Sequence, residues 1–135
     1  MLFFQNAAAQ LTLHSRPAYV RLSWHAGPLP ETAVQHALDQ VLVALQVQGW
    51  QKVLIEQASK EVFSVELQVW IELDWRPRAV QAGYRYGAFV QGRDLLARMA
   101  TMESILPYAA PWPVYQLCTS EAEAQAWLAQ FPAGT

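Results

Sequence analysis

The sequence predicts a single α/β domain in which a mixed sheet packs against helices. From residue 18 to the C-terminus, short apolar runs alternate with longer runs of helical periodicity, the pattern of strands joined by helical crossovers. The length of 135 residues fits one domain, spanning residues 1–135. The apolar fraction is 53% and the charged fraction only 15%. This composition fits either apolar surface that remains for a partner or ligand, or a well-filled core under a Gln-rich surface.

Strands dominate the beginning of the chain. Residues 2–5 are mostly apolar and suit a short edge strand, although Gln5 and Asn6 end the run early. Residues 10–14 and 19–24 alternate apolar and polar side chains, the period of a half-buried strand. The short turn between these two segments predicts an antiparallel pair.

A long helix and a buried strand follow. Pro30 suits the first turn of a helix, and Gly49 suits its C-terminal cap. Between them, one helical stripe of spacing i, i+4, i+7 and i+11 predicts the buried face; its members are Val34, Leu38, Val41 and Leu45. Residues 52–56 contain three consecutive apolar side chains, which predicts a strand covered on both faces.

The second helix is predicted over about residues 64–75 and is apolar over most of its circumference. Val65, Val69 and Leu73 are expected to form its inner stripe. Pro77 is expected to bend or split the helix, and Gly83 closes the segment. A strand is then predicted over residues 84–90.

The last third predicts a helix, a strand and a closing helix. Asp94 can cap a third helix whose apolar face would contain Leu95, Met99, Met102 and Leu106. After a proline-rich connection, residues 114–118 read as the final strand. Ser120 and Glu123 form a capping box that opens the last helix. Strand–helix–strand connections of these lengths favour parallel pairing.

The element order and three segments resemble the SpoIIAA-like group of small STAS/SEC14-type bacterial domains. The segments are residues 75–78 (WRPR), 83–88 (GYRYGA) and 120–128 (SEAEAQAWL). The resemblance implies a single-domain SpoIIAA-like sandwich, with a mixed four- to five-stranded sheet and helices packed mainly on one face. It also implies a non-enzymatic binding or regulatory module that contacts a partner protein, or a SEC14-like carrier of a small apolar ligand or lipid.

The resemblance also leads to the hypothesis that the protein is switched by phosphorylation of a serine. In some STAS domains, a serine at the start of the helix after the central strand is phosphorylated. Ser59 and Ser64 are the only hydroxyls in that region of this chain, and neither stands in the Asp-Ser-Gly context of that pattern. A phosphate at a helix N-terminus would be electrostatically favoured, but ordinary N-capping explains Ser64 at least as well.

The second helix and the residues at its exit supply the predicted partner surface. It contains Leu67, Trp70, Ile71, Trp75 and Arg78, and Trp and Arg are enriched at the centres of protein interfaces. A homodimer through this helix is the simplest version. In the alternative reading, the bend at Pro77 folds the aromatic side chains into the protein's own core.

The carrier hypothesis places an apolar pocket between helices and sheet. Trp24, Trp50 or Phe63 would line it, and it would require a cavity of several hundred Å³.

Several other classes are disfavoured by composition and spacing. The net charge is −2 with no basic run, which argues against a nucleic-acid partner. No run of about 18 apolar residues predicts a membrane span, and the N-terminus lacks the basic region of a secretion signal, so we expect a cytoplasmic protein. His14, His25 and His36 lie on different elements, and the lone Cys118 lies in an apolar run. We therefore expect no metal, no cofactor and no enzymatic activity.

Overall fold

The computed structural model describes residues 1–56, 63–90 and 112–132, which build a six-stranded mixed sheet with helices on both faces. The strands are β1 (Leu2–Gln5), β2 (Ala9–Ser15), β3 (Ala18–Trp24), β4 (Lys52–Glu56), β5 (Tyr86–Val90) and β6 (Val114–Cys118). The helices are α1 (Glu31–Gln48), α2 (Val65–Trp70), a π-helical turn (Ile71–Trp75), α3 (Arg76–Gln81) and α4 (Glu121–Leu128).

The six strands lie side by side in chain order. β1, β2 and β3 pair antiparallel, whereas β3 to β6 pair parallel. Both the predicted hairpin and the predicted parallel pairing are confirmed. The four to five strands implied by the resemblance are too few, because β1 hydrogen-bonds to β2 and extends the sheet by one strand.

Helix α1 forms as its sequence predicts. Gly49 adopts the left-handed conformation (φ 69°, ψ 31°) and its N–H donates to the carbonyl of Leu45, a backbone geometry that glycine adopts without steric cost. The predicted inner stripe is buried, with Val34, Val41 and Leu45 fully covered. This stripe fixes α1 against the sheet.

Side chains of the parallel strands alternate between two cores, one on each face of the sheet. In β4, Val53 and Ile55 join the larger core with α1 and the α2–α3 segment. Leu54 points the other way and joins the smaller core, which contains Ala124 and Leu128 of α4. Among the helices of the described ranges, α1 and the α2–α3 segment therefore pack on one face, and α4 packs on the other.

The α2–α3 segment, residues 65–81, differs from its prediction in orientation. Val65, Val69 and Leu73, the expected inner stripe, are 71%, 45% and 73% exposed, so that assignment is wrong. Pro77 does not break the helical path, because it lies in the first turn of α3, just after the π-helical turn.

Some predicted features lie outside the described residues. These are the helix beginning at Asp94, the serine at Ser59 and most of the proline-rich connection before β6. Among the helices that the structure describes, none is both long enough and apolar enough to cross a membrane.

Candidate partner-binding surface

The residues predicted to meet a partner point largely into the protein itself. Leu67 and Trp75 are 3% and 4% exposed and belong to the larger core. The indole Nε1 of Trp75 donates to the carbonyl of Leu38 on α1 at 2.8 Å. Trp70 and Ile71 are partly buried against the same core. In this structure Leu67 and Trp75 are core residues, and partner binding through Trp70, Ile71 and Arg78 stays a prediction.

The orientation of this segment follows from side-chain size and from the π-helical turn. Leu67, Ile71, Trp75 and Ala79 recur every four residues, as do Val65, Val69 and Leu73. A spacing of four drifts around an ordinary α-helix of 3.6 residues per turn, but the wider π turn at residues 71–75 corrects the drift. The stripe containing leucine, isoleucine and tryptophan buries more apolar area than the valine stripe, so it faces the core.

Arg78 fastens the α2–α3 segment to α1. Its guanidinium lies 3.0 Å from Asp39 of α1 and 2.8 Å from Asp74, one turn back on its own segment, and 5.7 Å from the centre of the Trp70 ring. Burial alone would lower the pKa of Arg78, but its hydrogen bonds to Asp39 and Asp74 raise that pKa overall. Arg78 is therefore engaged within the protein, between the two helical elements.

The outward side of these helices carries large aliphatic side chains instead. We call this the helix-layer surface and define it by five residues that are at least 40% exposed: Val43, Val47, Val65, Val69 and Leu73. The last three line up along the α2–α3 segment. Sequence reasoning assigned them to the core. The difference in size between the two stripes could have identified the exposed one, because Val65, Val69 and Leu73 together are smaller than Leu67, Ile71 and Trp75.

Carboxylates surround the α2–α3 stripe. Glu66, Glu72 and Asp74 lie between and beside its members. Two more come from α1: Glu31 hydrogen-bonds the Ser64 hydroxyl at the start of α2, and Asp39 pairs with Arg78. Helix α1 contains no Lys or Arg, so the neighbouring helix adds negative charge only.

The two arginines of the α2–α3 segment offset only part of this charge, because five carboxylates stand against two guanidinium groups. Arg76 is 7% exposed, and its guanidinium lies 5.5 Å from the Tyr115 ring of β6. Arg78 is held between two carboxylates. The outward side of α1 and α2–α3 is consequently both aliphatic and acidic.

Ser64 is an N-cap in the structure. Its hydroxyl oxygen accepts a hydrogen bond from the N–H of Leu67 at 3.2 Å and donates one to a carboxylate oxygen of Glu31. A phosphate at Ser64 would lie beside that carboxylate, where like charges repel. The phosphoswitch at Ser64 stays a prediction, as does the one at Ser59 outside the described residues.

The other chemically reactive side chains are dispersed. Cys118 is 1% exposed, and burial raises the pKa of its thiol. The imidazoles of His14 and His25 contact backbone carbonyls, and that of His36 contacts the Phe4 ring. Within residues 1–56, 63–90 and 112–132, no group of three or more His, Cys, Asp or Glu side chains converges as metal ligands would.

The side chains named for an apolar carrier pocket pack with the larger core. Trp24 is 8% exposed, and its ring meets Phe63 edge-on with centroids 5.3 Å apart. Trp50 and Phe63 are partly buried against the same cluster. Trp24 therefore belongs to the larger core, and Trp50 and Phe63 pack against it.

One polar cluster was not anticipated from sequence. Arg21 of β3 reaches Glu56 of β4 and Glu121 of α4, and its Nη1 donates to the Ser23 hydroxyl at 2.6 Å. Its partners Glu56 and Glu121 lie 35 and 100 positions away in sequence. No local pattern signals such a contact.

Comparisons of the chain with protein-family models, with curated proteins and with solved structures give no match.

Proposed function

We propose that this chain is a SpoIIAA-like, STAS-type binding module that acts by contacting another protein and performs no bond-breaking chemistry. The helix-layer surface is the proposed contact. The observation that carries this proposal is the exposed stripe of Val65, Val69 and Leu73, on a helical segment whose larger apolar residues are already buried.

An exposed aliphatic row has a physical consequence. Scattered apolar side chains are normal on a protein surface, but a contiguous apolar row rimmed by polar groups is typical of an interaction site. Covering such a row releases about 25 cal/mol per Å² of apolar area removed from water. The row is built on a helix packed against the core, so a partner would meet a largely pre-formed surface.

The resemblance to SpoIIAA-like domains supports the same proposal. Strands β3, β4 and β5 are parallel, lie in chain order and are joined by helical crossovers, as expected for repeated strand–helix units. Two features differ from what the resemblance implies. Strand β1 adds a sixth strand at the edge of the sheet, and α4 packs on the face opposite α1.

Site-specific photo-crosslinking in the protein's own host tests this function. A benzophenone side chain is introduced at Val65 or Leu73, and at Ala126 of α4 as an exposed control on the other face of the sheet. We expect the two stripe positions to give one and the same adduct and the Ala126 position to lack it. An adduct of twice the chain mass would identify the partner as a second copy.

The proposal requires that this adduct depend on the aliphatic row. Introducing Val69→Asp into the Leu73 crosslinking variant should abolish the adduct, because a charge at the centre of an interface must be desolvated. If neither stripe position gives an adduct, or if Ala126 gives the same one, the proposed binding function is wrong.

A further inference from the structure

The charges around the α2–α3 stripe specify the chemistry of the molecule that would cover it. The acidic residues at this surface are Glu31, Asp39, Glu66, Glu72 and Asp74. Of the two arginines on these helices, Arg76 is buried and Arg78 is shared by two carboxylates. The surface therefore presents an aliphatic row inside a negative rim.

The remaining cations of the described residues lie elsewhere. Arg21 and Lys52 are on strands, and Arg16 and Arg85 are in the segments flanking strands. Residues 57–62 and 91–111, which lie between the described ranges, each contain as many basic as acidic side chains. They therefore add nothing to the net charge. The negative charge is thus a property of the helix layer rather than of the chain as a whole.

The same charges disfavour a symmetric dimer through this surface. In a two-fold dimer the same patch faces itself, so the rim carboxylates of one copy would lie against those of the other. Like charges juxtaposed across an interface oppose association strongly. Nucleic acids and anionic membranes are disfavoured by the same repulsion.

We propose that the helix-layer surface receives a basic amphipathic helix of a different protein. Its aliphatic side chains would cover Val65, Val69 and Leu73, and its Lys or Arg side chains would meet the carboxylates at the rim. The stripe runs over nine residues of helix, from Val65 to Leu73, and its ends are about 12 Å apart at 1.5 Å per residue. That length matches apolar anchors on two successive turns of a docked helix. This inference rests on the proposed binding function and adds the class of partner.

The test uses the full chain and a synthetic helical peptide as the probe. The peptide has about fourteen residues, with leucines on one face and lysines on the other, the pattern of helix-in-groove ligands. Two control peptides are needed: one with the same composition scrambled, and one with glutamate in place of lysine. Binding is followed by fluorescence anisotropy at low and physiological salt.

Surface variants separate specific docking from general charge attraction. E66Q/E72Q removes two rim charges, and A126K/A129K changes the net charge by the same amount on exposed positions of α4 and the turn after it. We expect E66Q/E72Q to weaken peptide binding about tenfold and A126K/A129K to have little effect. V69A/L73A should weaken binding by a similar factor by removing apolar contact. Circular dichroism confirms that each variant is folded.

The outcomes separate a failure of the basic-helix inference from a failure of the proposed binding function. Equal weakening by E66Q/E72Q and A126K/A129K, or equal binding of the scrambled peptide, would overturn the basic-helix partner. No peptide binding together with a stripe-specific crosslink in the host would leave the binding function standing and make the partner class wrong. A crosslinked adduct of twice the chain mass would replace the different protein with a second copy.

Discussion

At the scale of one residue, a local capping motif determines the hydrogen bonds of Glu123 in the first turn of α4. The Ser120 hydroxyl accepts from the N–H of Glu123 at 3.1 Å, as a capping box requires. The Glu123 carboxylate reaches one residue farther than the standard motif and accepts from the N–H and the hydroxyl of Thr119, at 2.9 and 2.8 Å. Both hydrogen bonds lower the pKa of Glu123, and the one from the backbone N–H of Thr119 has the larger effect.

The lowered pKa of Glu123 predicts a pH-dependent stability. The folded-state pKa lies below the ordinary value of 4.5, so the contribution is fully present above that value. It is lost as the pH falls through the folded-state pKa. We expect Glu123→Gln to reduce the free energy of unfolding at neutral pH and to have progressively less effect as the solution is acidified. Urea denaturation over a pH series measures this.

Ser120→Ala is the matched control for that series. It removes a capping hydrogen bond of the same helix, at a cost of about 1 kcal/mol, and the hydroxyl does not titrate in this range. Its cost should therefore stay nearly constant with pH. A Glu123→Gln effect that is equally independent of pH would show that the carboxylate charge does not contribute.

At the scale of the element, the α2–α3 segment shows how two equivalent sequence patterns are resolved by volume. Leu67 and Leu73 are the same residue type on opposite sides of one helical rod, 3% and 73% exposed respectively. The π-helical turn between them keeps each four-residue stripe on its own side. This segment therefore offers a direct comparison of a core leucine with a surface leucine.

We expect Leu67→Ala and Leu73→Ala to differ sharply in stability. Loss of the Leu67 side chain leaves a cavity in the larger core and should cost about 2–5 kcal/mol, whereas Leu73→Ala should stay within about 0.5 kcal/mol of the wild type. Chemical denaturation of both variants measures the difference. A larger cost for Leu73→Ala than for Leu67→Ala would mean that the helix faces the core with the other stripe.

The two long helical elements also mark how far sequence reasoning reaches. For α1, the stripe beginning at Val34 and the cap at Gly49 agree on one orientation, and the structure confirms it. For α2–α3, both stripes repeat every four residues, so periodicity alone cannot choose between them. The choice depends on relative side-chain size and on a π turn, and no pattern in the sequence announces such a turn. For this reason the sequence did not show that Leu67 and Trp75 lie in the core.

The position of α4 was beyond local reasoning for a topological cause. A crossover between two parallel strands has a strongly preferred hand, which places its helix on a definite face of the sheet. Helix α4 follows β6 and does not connect two of the described strands, so this rule does not determine its face. Ala124 and Leu128 of α4 are buried in the smaller core, and no local pattern in the sequence selects that face of the sheet.

At the scale of the whole molecule, long-range polar contacts hold α4 to the sheet at both ends. Near its start, Glu121 pairs with Arg21 of β3 at 2.9 Å. Just beyond its end, the ammonium of Lys52 in β4 donates to the carbonyl of Phe131 at 2.7 Å. Lys52 is 2% exposed, and burial lowers the pKa of its ammonium group. These contacts join segments that are otherwise distant in the chain.

Arg21 is the member of this network whose loss should affect three elements together. Its guanidinium lies between Glu56 of β4 and Glu121 of α4. Replacing it with leucine would leave two carboxylates facing the same site without their shared cation. The three side chains are 28–40% exposed, so solvent screens part of this repulsion, and we expect Arg21→Leu to cost about 1–2 kcal/mol.

Two further variants identify the origin of that cost. In the triple variant R21L/E56Q/E121Q, no like charges remain, so much of the lost stability should return. Arg16→Leu is the control, since Arg16 is exposed and has no ion pair in the part of the chain that the structure describes; we expect a change within about 0.5 kcal/mol. Urea denaturation at low and high salt gives the comparison, and the cost of Arg21→Leu should shrink as salt screens the two carboxylates. A cost that neither salt nor the two glutamine substitutions reduce would mean that Arg21 acts by packing its aliphatic stem over β3 rather than by joining β3, β4 and α4 through charge.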